Sequence, residues 1–222
     1  MQIRFRFRSV SRSPPRFPTY RNPDDVNDTP TGYGWISIGL HWVTAVLIIY
    51  LLYLGSSIAG LEGEARQLGV RRHTSVALAS YLLLVGRIAW RFYRGHPGPT
   101  PEQRGWAFTL GKYTHYTMLV ALTVQILTGP WLQWSYGRDI EVFDWFVIPS
   151  PMEASFGLAS TLHGLHVASA LLIFFAILLH IGGVYKHTAF NQDGTLAKMI
   201  VPGRQSPASD AAPSPAKNEG ES

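Results

Sequence analysis

The chain has 222 residues, 46% hydrophobic and 15% charged, with a formal net charge of +5 and no cysteine. The missing thiol excludes disulfides, thiolate ligation, covalent haem attachment of the c type and iron–sulfur clusters. The basic residues flank apolar blocks instead of lining one face, which argues against nucleic acid as a partner, and the sharp division into apolar blocks and polar ends is that of a one-domain membrane protein.

Residues 1–31 are rich in Arg, Ser and Pro and hold no apolar h-region, so a disordered basic arm is expected there, not a secretory signal. A first membrane span is expected from about Gly34 to Ser57, with His41 near its start and Trp42 directly after it. GLEGEARQLGVRR is expected to be a loop leading to a second span, about His73 to Tyr93. Few residues separate Arg72 from Arg87, so this helix must set Arg87 and Arg91 at an interface, where long side chains reach water. RGHPGPTPEQRG, dense in Pro and Gly, is a loop. A third span covers Tyr113 to about Ser135, with His115 near its start and Trp131, Trp134 and Tyr136 at its end as interfacial aromatics. An acidic connection over 137–158 follows. Between Glu153 and Lys186 no residue carries a fixed charge, which leaves more than the roughly 20 apolar residues a crossing needs. This fourth span carries His163, His166 and His180, and a polar tail over 203–222 is expected to be disordered. Four spans put both termini on one side, and the Arg and Lys distribution assigns that side to the cytoplasm. The expected fold is an all-α four-transmembrane-helix bundle over residues 32–202.

Depth then sorts the histidines. His166 and His180 lie on one helix face, about 21 Å apart along the axis. His41 opens an ascending span and shares the cytoplasmic depth of His180; His73 opens a descending span and shares the periplasmic depth of His166. Ionisable groups at membrane depth normally face the bundle interior and mark function. Any one of these histidines could serve as a hydrogen-bonded packing residue, but four that pair by depth favour ligation. Two neutral imidazoles on facing helices suit six-coordinate haem iron. Such iron has no open position, which favours electron transfer over oxygen chemistry. His115 lies at the depth of His180, where it either competes with His41 as a ligand or hydrogen-bonds a propionate or a quinone. His163 is expected at the periplasmic surface, His187 near headgroups or a propionate, and His96 in solvent. Arg87 and Arg91, one turn apart, either anchor the cytoplasmic end or hold haem propionates bidentately. Arg71 and Arg72 are placed to do the same at the other end. Gly39, Gly129, Gly164 and Gly182 read as helix-packing sites or as room for a porphyrin.

The apolar blocks also resemble one family as a set. YGWISIGLHWVTAVLII is similar to the first helix of the bacterial cytochrome b561 family, within the wider group that includes cytochrome b subunits of nickel–iron hydrogenases. HTSVALASYLLLVGRIAWRF, HYTMLVALTVQILTGPW and LHVASALLIFFAILLHIGGVYKH resemble its second, third and fourth helices, and DGTLAKMIVPG its ending. The chain departs from the family's usual pattern in having Lys186-His187 after the fourth helix, where a His-His pair is common, and Ala77 where the second helix often has Gly. The resemblance implies a membrane cytochrome with two b haems, ligated by His41, His73, His166 and His180, that exchanges electrons with the quinone pool. The expected form is a stand-alone protein of the bacterial inner membrane, with an electron donor or acceptor to be identified and a homo-oligomeric state left open. The alternative within the wider group is an anchor subunit that relays electrons from a hydrogenase or dehydrogenase.

Overall fold

The computed structural model describes residues 26–29, 32–95, 105–191 and 194–202. The expectations for most of the 1–31 arm, for His96 and for the 203–222 tail fall outside these residues. The described residues fold into α1 (Trp35–Ser57), α2 (Gly63–Ala79), α3 (Tyr81–Arg94), α4 (Trp106–Ser135) and α5 (Phe156–Lys186), with β1 (Ile140–Val142) and β2 (Phe146–Ile148) between α4 and α5. A wide turn over His187–Asn191 and a short 3-10 turn over Ala197–Met199 follow α5.

Contacts between named residues give the topology. As the α4 partner advances from His115 to Thr128, the α5 partner recedes from His180 to His166, so these helices are antiparallel. Ser37 and His41 of α1 meet Trp90 and Arg87 of α3, and Gly55 of α1 faces His73 of α2, so α1 runs against the α2–α3 pair. Trp42 Nε1 donates to the Met199 carbonyl at 2.8 Å, which returns the segment after α5 to the start of α1. The result is an up-and-down arrangement. At its centre Leu84, Ala121, Leu122, Ile126 and Ile173 form a dry cluster. Ile173 stands midway between His166 and His180, so the cluster separates the two histidine depths.

α1 and the stretch Phe156–Asn191 are long and apolar enough to cross a membrane, and α2 with α3 qualifies as a third crossing if the bent pair is one span. α4 is long but more polar, with Thr109, Thr114, Thr117, Thr123, Gln125 and Thr128 along it.

Two expectations need correction. The stretch after Leu61 is not a loop: α2 begins at Gly63, ten residues before His73. Glu, Ala, Arg, Gln and Leu are good helix formers, so the helix continues beyond the apolar part with its charged side chains exposed. The expected second span is also not one straight helix, since α2 and α3 meet at a 46° bend. Ser80 sits at the break with its hydroxyl donating to the Val76 carbonyl at 2.8 Å, a back-bond that competes with the helical ladder and bends it.

The 137–158 connection contains an antiparallel hairpin in the register Ile140↔Ile148, Glu141↔Val147, Val142↔Phe146. Its loop contains Phe143 at φ 48°, a left-handed conformation unfavourable for a bulky side chain. Both backbone groups of Phe143 are pinned: its N–H donates to Ser75 Oγ at 2.8 Å, and its carbonyl accepts from Arg71 Nη2 at 3.3 Å. Ser75 Oγ also donates to the Glu141 carbonyl at 3.1 Å and is 1% exposed. Arg71 adds exposed ion pairs with Glu141 (2.8 Å) and Asp144 (2.7 Å). Exposed pairs are worth about 0–1 kcal/mol, whereas stranding a buried donor costs about 1–3 kcal/mol. Ser75→Ala is therefore expected to lower the midpoint of thermal unfolding more than Arg71→Ala. Equal shifts would show that the ion pairs, not the buried serine, hold the hairpin.

Candidate functional site

The histidines of the apolar helices gather at two depths. At one end His41 of α1 and His180 of α5 stand with ring centres 6.2 Å apart. At the other, His73 of α2 and His166 of α5 stand 6.3 Å apart. All four are half-buried. Two imidazoles that hold one metal from opposite sides, each with a nitrogen about 2 Å from it, have ring centres about 6 Å apart. Both pairs have this spacing.

The donor set narrows the metal. Among the described residues no group of three or more His, Cys, Asp or Glu is placed to hold a metal ion. A bare ion such as zinc needs about four protein ligands or open positions filled by water. Iron in a porphyrin needs only two from the protein, at its axial positions, and two imidazoles are what each end offers.

The surroundings fit that group. Arg87 Nη2 lies 3.4 Å from His41 Nδ1, a long contact, and its Nη1 is buried without a hydrogen-bond partner. Among the described residues no carboxylate forms a salt bridge with Arg87, and Asp28 acts on it only at longer range; a half-buried guanidinium without a close anion is costly. A haem propionate is the kind of anion it lacks. His73 Nδ1 is likewise buried without a hydrogen-bond partner. A Cβ at Gly55 would sit 3.3 Å from His73 Cε1, so the glycine makes the space that the imidazole occupies.

The other expected residues are distributed as follows. Arg91 is 7% exposed and already engaged: its Nη1 donates to the Gly95 carbonyl at 2.5 Å and its guanidinium lies 5.3 Å from the centre of the Tyr33 ring. It closes the end of α3. Arg72 is exposed on α2, and Arg71 is turned to the hairpin. His115 meets His180, with Nε2 3.2 Å from Nδ1. His163 is exposed, and His187 Nδ1 lies 3.1 Å from Asn191 Nδ2 within its own turn. A Cβ at Gly39, Gly164 or Gly182 would meet nothing within 4 Å, so these glycines are not close helix–helix contacts; one at Gly129 would lie 3.8 Å from His166 Cε1.

Several contributors went unnoticed in the sequence. Thr128 Oγ1 lies 2.9 Å from His166 Nδ1. Gln125 Nε2 donates to the His166 carbonyl at 2.6 Å and to Ser169 Oγ at 3.0 Å, which ties α4 to α5 beside His166. Asp28 accepts from the Gly34 N–H (2.8 Å) and the Ser37 hydroxyl (2.7 Å), and Ser37 accepts from Trp90 Nε1 (2.7 Å), fixing the first turn of α1 against α3. A lone amide or hydroxyl at the depth of a histidine is the signal that could have found Thr128 and Gln125.

Apolar helices with histidines gathered in their interior define a membrane cytochrome of the b type. The family model described as prokaryotic cytochrome b561 matches residues 32–202, and the chain belongs to that family. It is 26% identical over 179 residues to cytochrome b561 homolog 2 of Escherichia coli (strain K12), a match covering 78% of this chain and 93% of that protein. It is 24% identical over 169 residues to the probable superoxide oxidase CybB of Yersinia pestis, covering 76% of this chain and 95% of that protein. The chain is thus a haem b protein associated with the lipid bilayer that carries electrons.

Proposed function

We propose that this protein is a stand-alone two-haem cytochrome of the bacterial inner membrane that passes electrons between the quinone pool and a redox partner. The observation that carries this reading is the pair of imidazole separations, 6.2 and 6.3 Å, at opposite ends of one helix. His41 with His180 would hold one haem and His73 with His166 the other. Haem b supplies one-electron chemistry at each end. The chain would contribute the imidazoles, the Arg87 guanidinium for a propionate and an apolar core between the two sites. Four crossings, with α2 and α3 together as one and α4 as another, would place the described start of α1 and the end of α5 on the same face. Arg87, Arg91, Arg94, Lys112, Lys186 and Lys198 cluster toward that face, and the acidic hairpin lies at the other, which favours a cytoplasmic assignment for the His41 end.

The test is quinol-driven reduction of the purified protein in liposomes, read in the b-type absorption bands. Reduction by a ubiquinol analogue supports the quinone partner. Reduction by dithionite but not by quinol would remove that partner and leave the two-haem assignment standing. Because the Yersinia pestis relative is a probable superoxide oxidase, superoxide is a second donor for the same assay. Recovery of an intact hydrogenase or dehydrogenase complex from native membranes would replace the stand-alone reading with that of an anchor subunit.

Arg87 carries a separate expectation. A hydrogen bond to a charged group is worth about 1.5–3 kcal/mol, so Arg87→Met is expected to weaken haem retention at the His41 end by about ten- to a hundredfold. Arg91→Met and Arg72→Met are expected to leave it unchanged. Haem loss to apomyoglobin, followed in the visible spectrum, measures all three.

A further inference from the structure

Three imidazoles converge at the His41 end, where two suffice. His115 of α4 has its Nε2 3.2 Å from His180 Nδ1, and the two ring centres are 5.0 Å apart. Imidazoles that hold one iron from opposite sides keep their ligating nitrogens about 4 Å apart, about 2 Å on each side. His115 and His180 stand too close for that, and among the described residues no third His, Cys, Asp or Glu joins them to complete a tetrahedral metal site. The contact is a hydrogen bond, and it needs one protonated nitrogen and one bare one.

The other end shows which way it runs. Thr128 Oγ1 lies 2.9 Å from His166 Nδ1, the same ring atom on the same helix. The single hydroxyl hydrogen of Thr128 is committed to the Val124 carbonyl at 2.7 Å. The oxygen therefore accepts, and His166 Nδ1 donates. That tautomer leaves His166 Nε2 bare and free to ligate. His180 needs the same tautomer if its Nε2 is to ligate, and His115 is the acceptor supplied for it. Each α5 histidine is thus backed by an α4 acceptor, but the acceptors differ. One is an alcohol oxygen, the other an imidazole nitrogen, which is a much stronger base.

We propose that His115 is a positioning residue for the His41/His180 site: it accepts the Nδ1–H of His180, fixes the tautomer that presents Nε2 to the iron, and makes His180 the more electron-donating of the two α5 ligands. This rests on the two-haem reading. Such outer partners orient a ligating histidine and raise its basicity. A more basic ligand favours the oxidised metal, so removal of the acceptor raises the midpoint potential at that end. Thr128, a weaker acceptor, governs the other end by the same route.

The test uses the full-length haem-loaded protein, with haem per chain from the pyridine haemochrome, redox titration of both haems and low-temperature electron paramagnetic resonance. His115→Leu is expected to shift one of the two midpoint potentials upward and to move the resonance of that haem only. Haem affinity at that end is expected to fall by about ten- to a hundredfold. His115→Gln, which keeps an acceptor oxygen, is expected to restore retention and most of the potential. Thr128→Val is expected to move the other haem, by less. Unchanged potentials in a two-haem His115→Leu protein would overturn the proposal, as would equal shifts of both haems, the mark of general loosening. If His115→Leu loses the haem outright, the Gln variant decides: recovery supports the hydrogen bond, and failure to recover overturns it. A wild-type protein with fewer than two haems would instead remove the two-haem reading, before any substitution is made.

Discussion

His73→Ala is expected to reduce the haem content from two per chain to about one, with the remaining haem spectroscopically unchanged. His73 is one of two imidazoles at its end, and its partner His166 stands 6.3 Å away by ring centres. Its loss leaves His166 with an intact setting, because Thr128 holds the ring and Gln125 holds the backbone. A single remaining ligand cannot satisfy six-coordinate iron, so retention at that end collapses. The other end is insulated by about 21 Å of helix and by the dry cluster around Leu84 and Ile173. The competing role, a histidine that merely packs between α1 and α2, predicts a different outcome. Removing a packing residue costs about 0.5–3 kcal/mol of stability and leaves both haems in place. Pyridine haemochrome with the reduced-minus-oxidised spectrum separates the two, and His163→Ala, on an exposed histidine of α5, is the control expected to retain both haems. Two haems in His73→Ala would return His73 to a structural role.

What was legible in the sequence follows from how strongly each feature is imposed by the membrane. Charged residues are absent from α1 and from the body of α5, and an imidazole in such a stretch is conspicuous, so depth alone gave the pairings His41 with His180 and His73 with His166. The structure brings those same residues together. Depth says nothing about rotation, and this is why His115 was left with several roles. Only the 3.2 Å contact to His180 Nδ1 distinguishes a hydrogen-bond partner from a rival ligand. Spacing puts Arg91 on the helix face of Arg87, but its contacts are with Tyr33 and the Gly95 carbonyl, and neither partner can be read from spacing. The hairpin was hidden because its three-residue strands have no periodicity of their own. It is held by Ser75 and Arg71, about seventy residues earlier in the chain. The early start of α2 was legible in principle, since Glu64, Ala65, Arg66, Gln67 and Leu68 are consecutive helix formers; the charges and glycines of the segment made it look like a loop.

Gly55→Leu is expected to reproduce the haem loss of His73→Ala without touching a ligand. A Cβ at Gly55 would lie 3.3 Å from His73 Cε1 and 3.6 Å from its Nδ1. Alanine there is accommodated if the ring gives by a few tenths of an ångström, so Gly55→Ala is expected to keep most of its haem. The further carbons of leucine must occupy the volume of the imidazole and turn His73 away from His166. Helix propensity works in the opposite direction, because replacing an interior glycine favours α1 by up to about 1 kcal/mol. Loss of haem could therefore not be assigned to fraying of the helix. Gly39→Leu, on the same helix where a Cβ meets nothing within 4 Å, carries the same gain in propensity and is expected to keep both haems. The measurement is haem per chain and the spectrum of what remains, with circular dichroism to show that α1 is still formed. Two haems in Gly55→Leu would mean that His73 can ligate from a position other than the one it occupies here. One haem, with the His41 end unaltered, would show that the ring must stand where the glycine allows it.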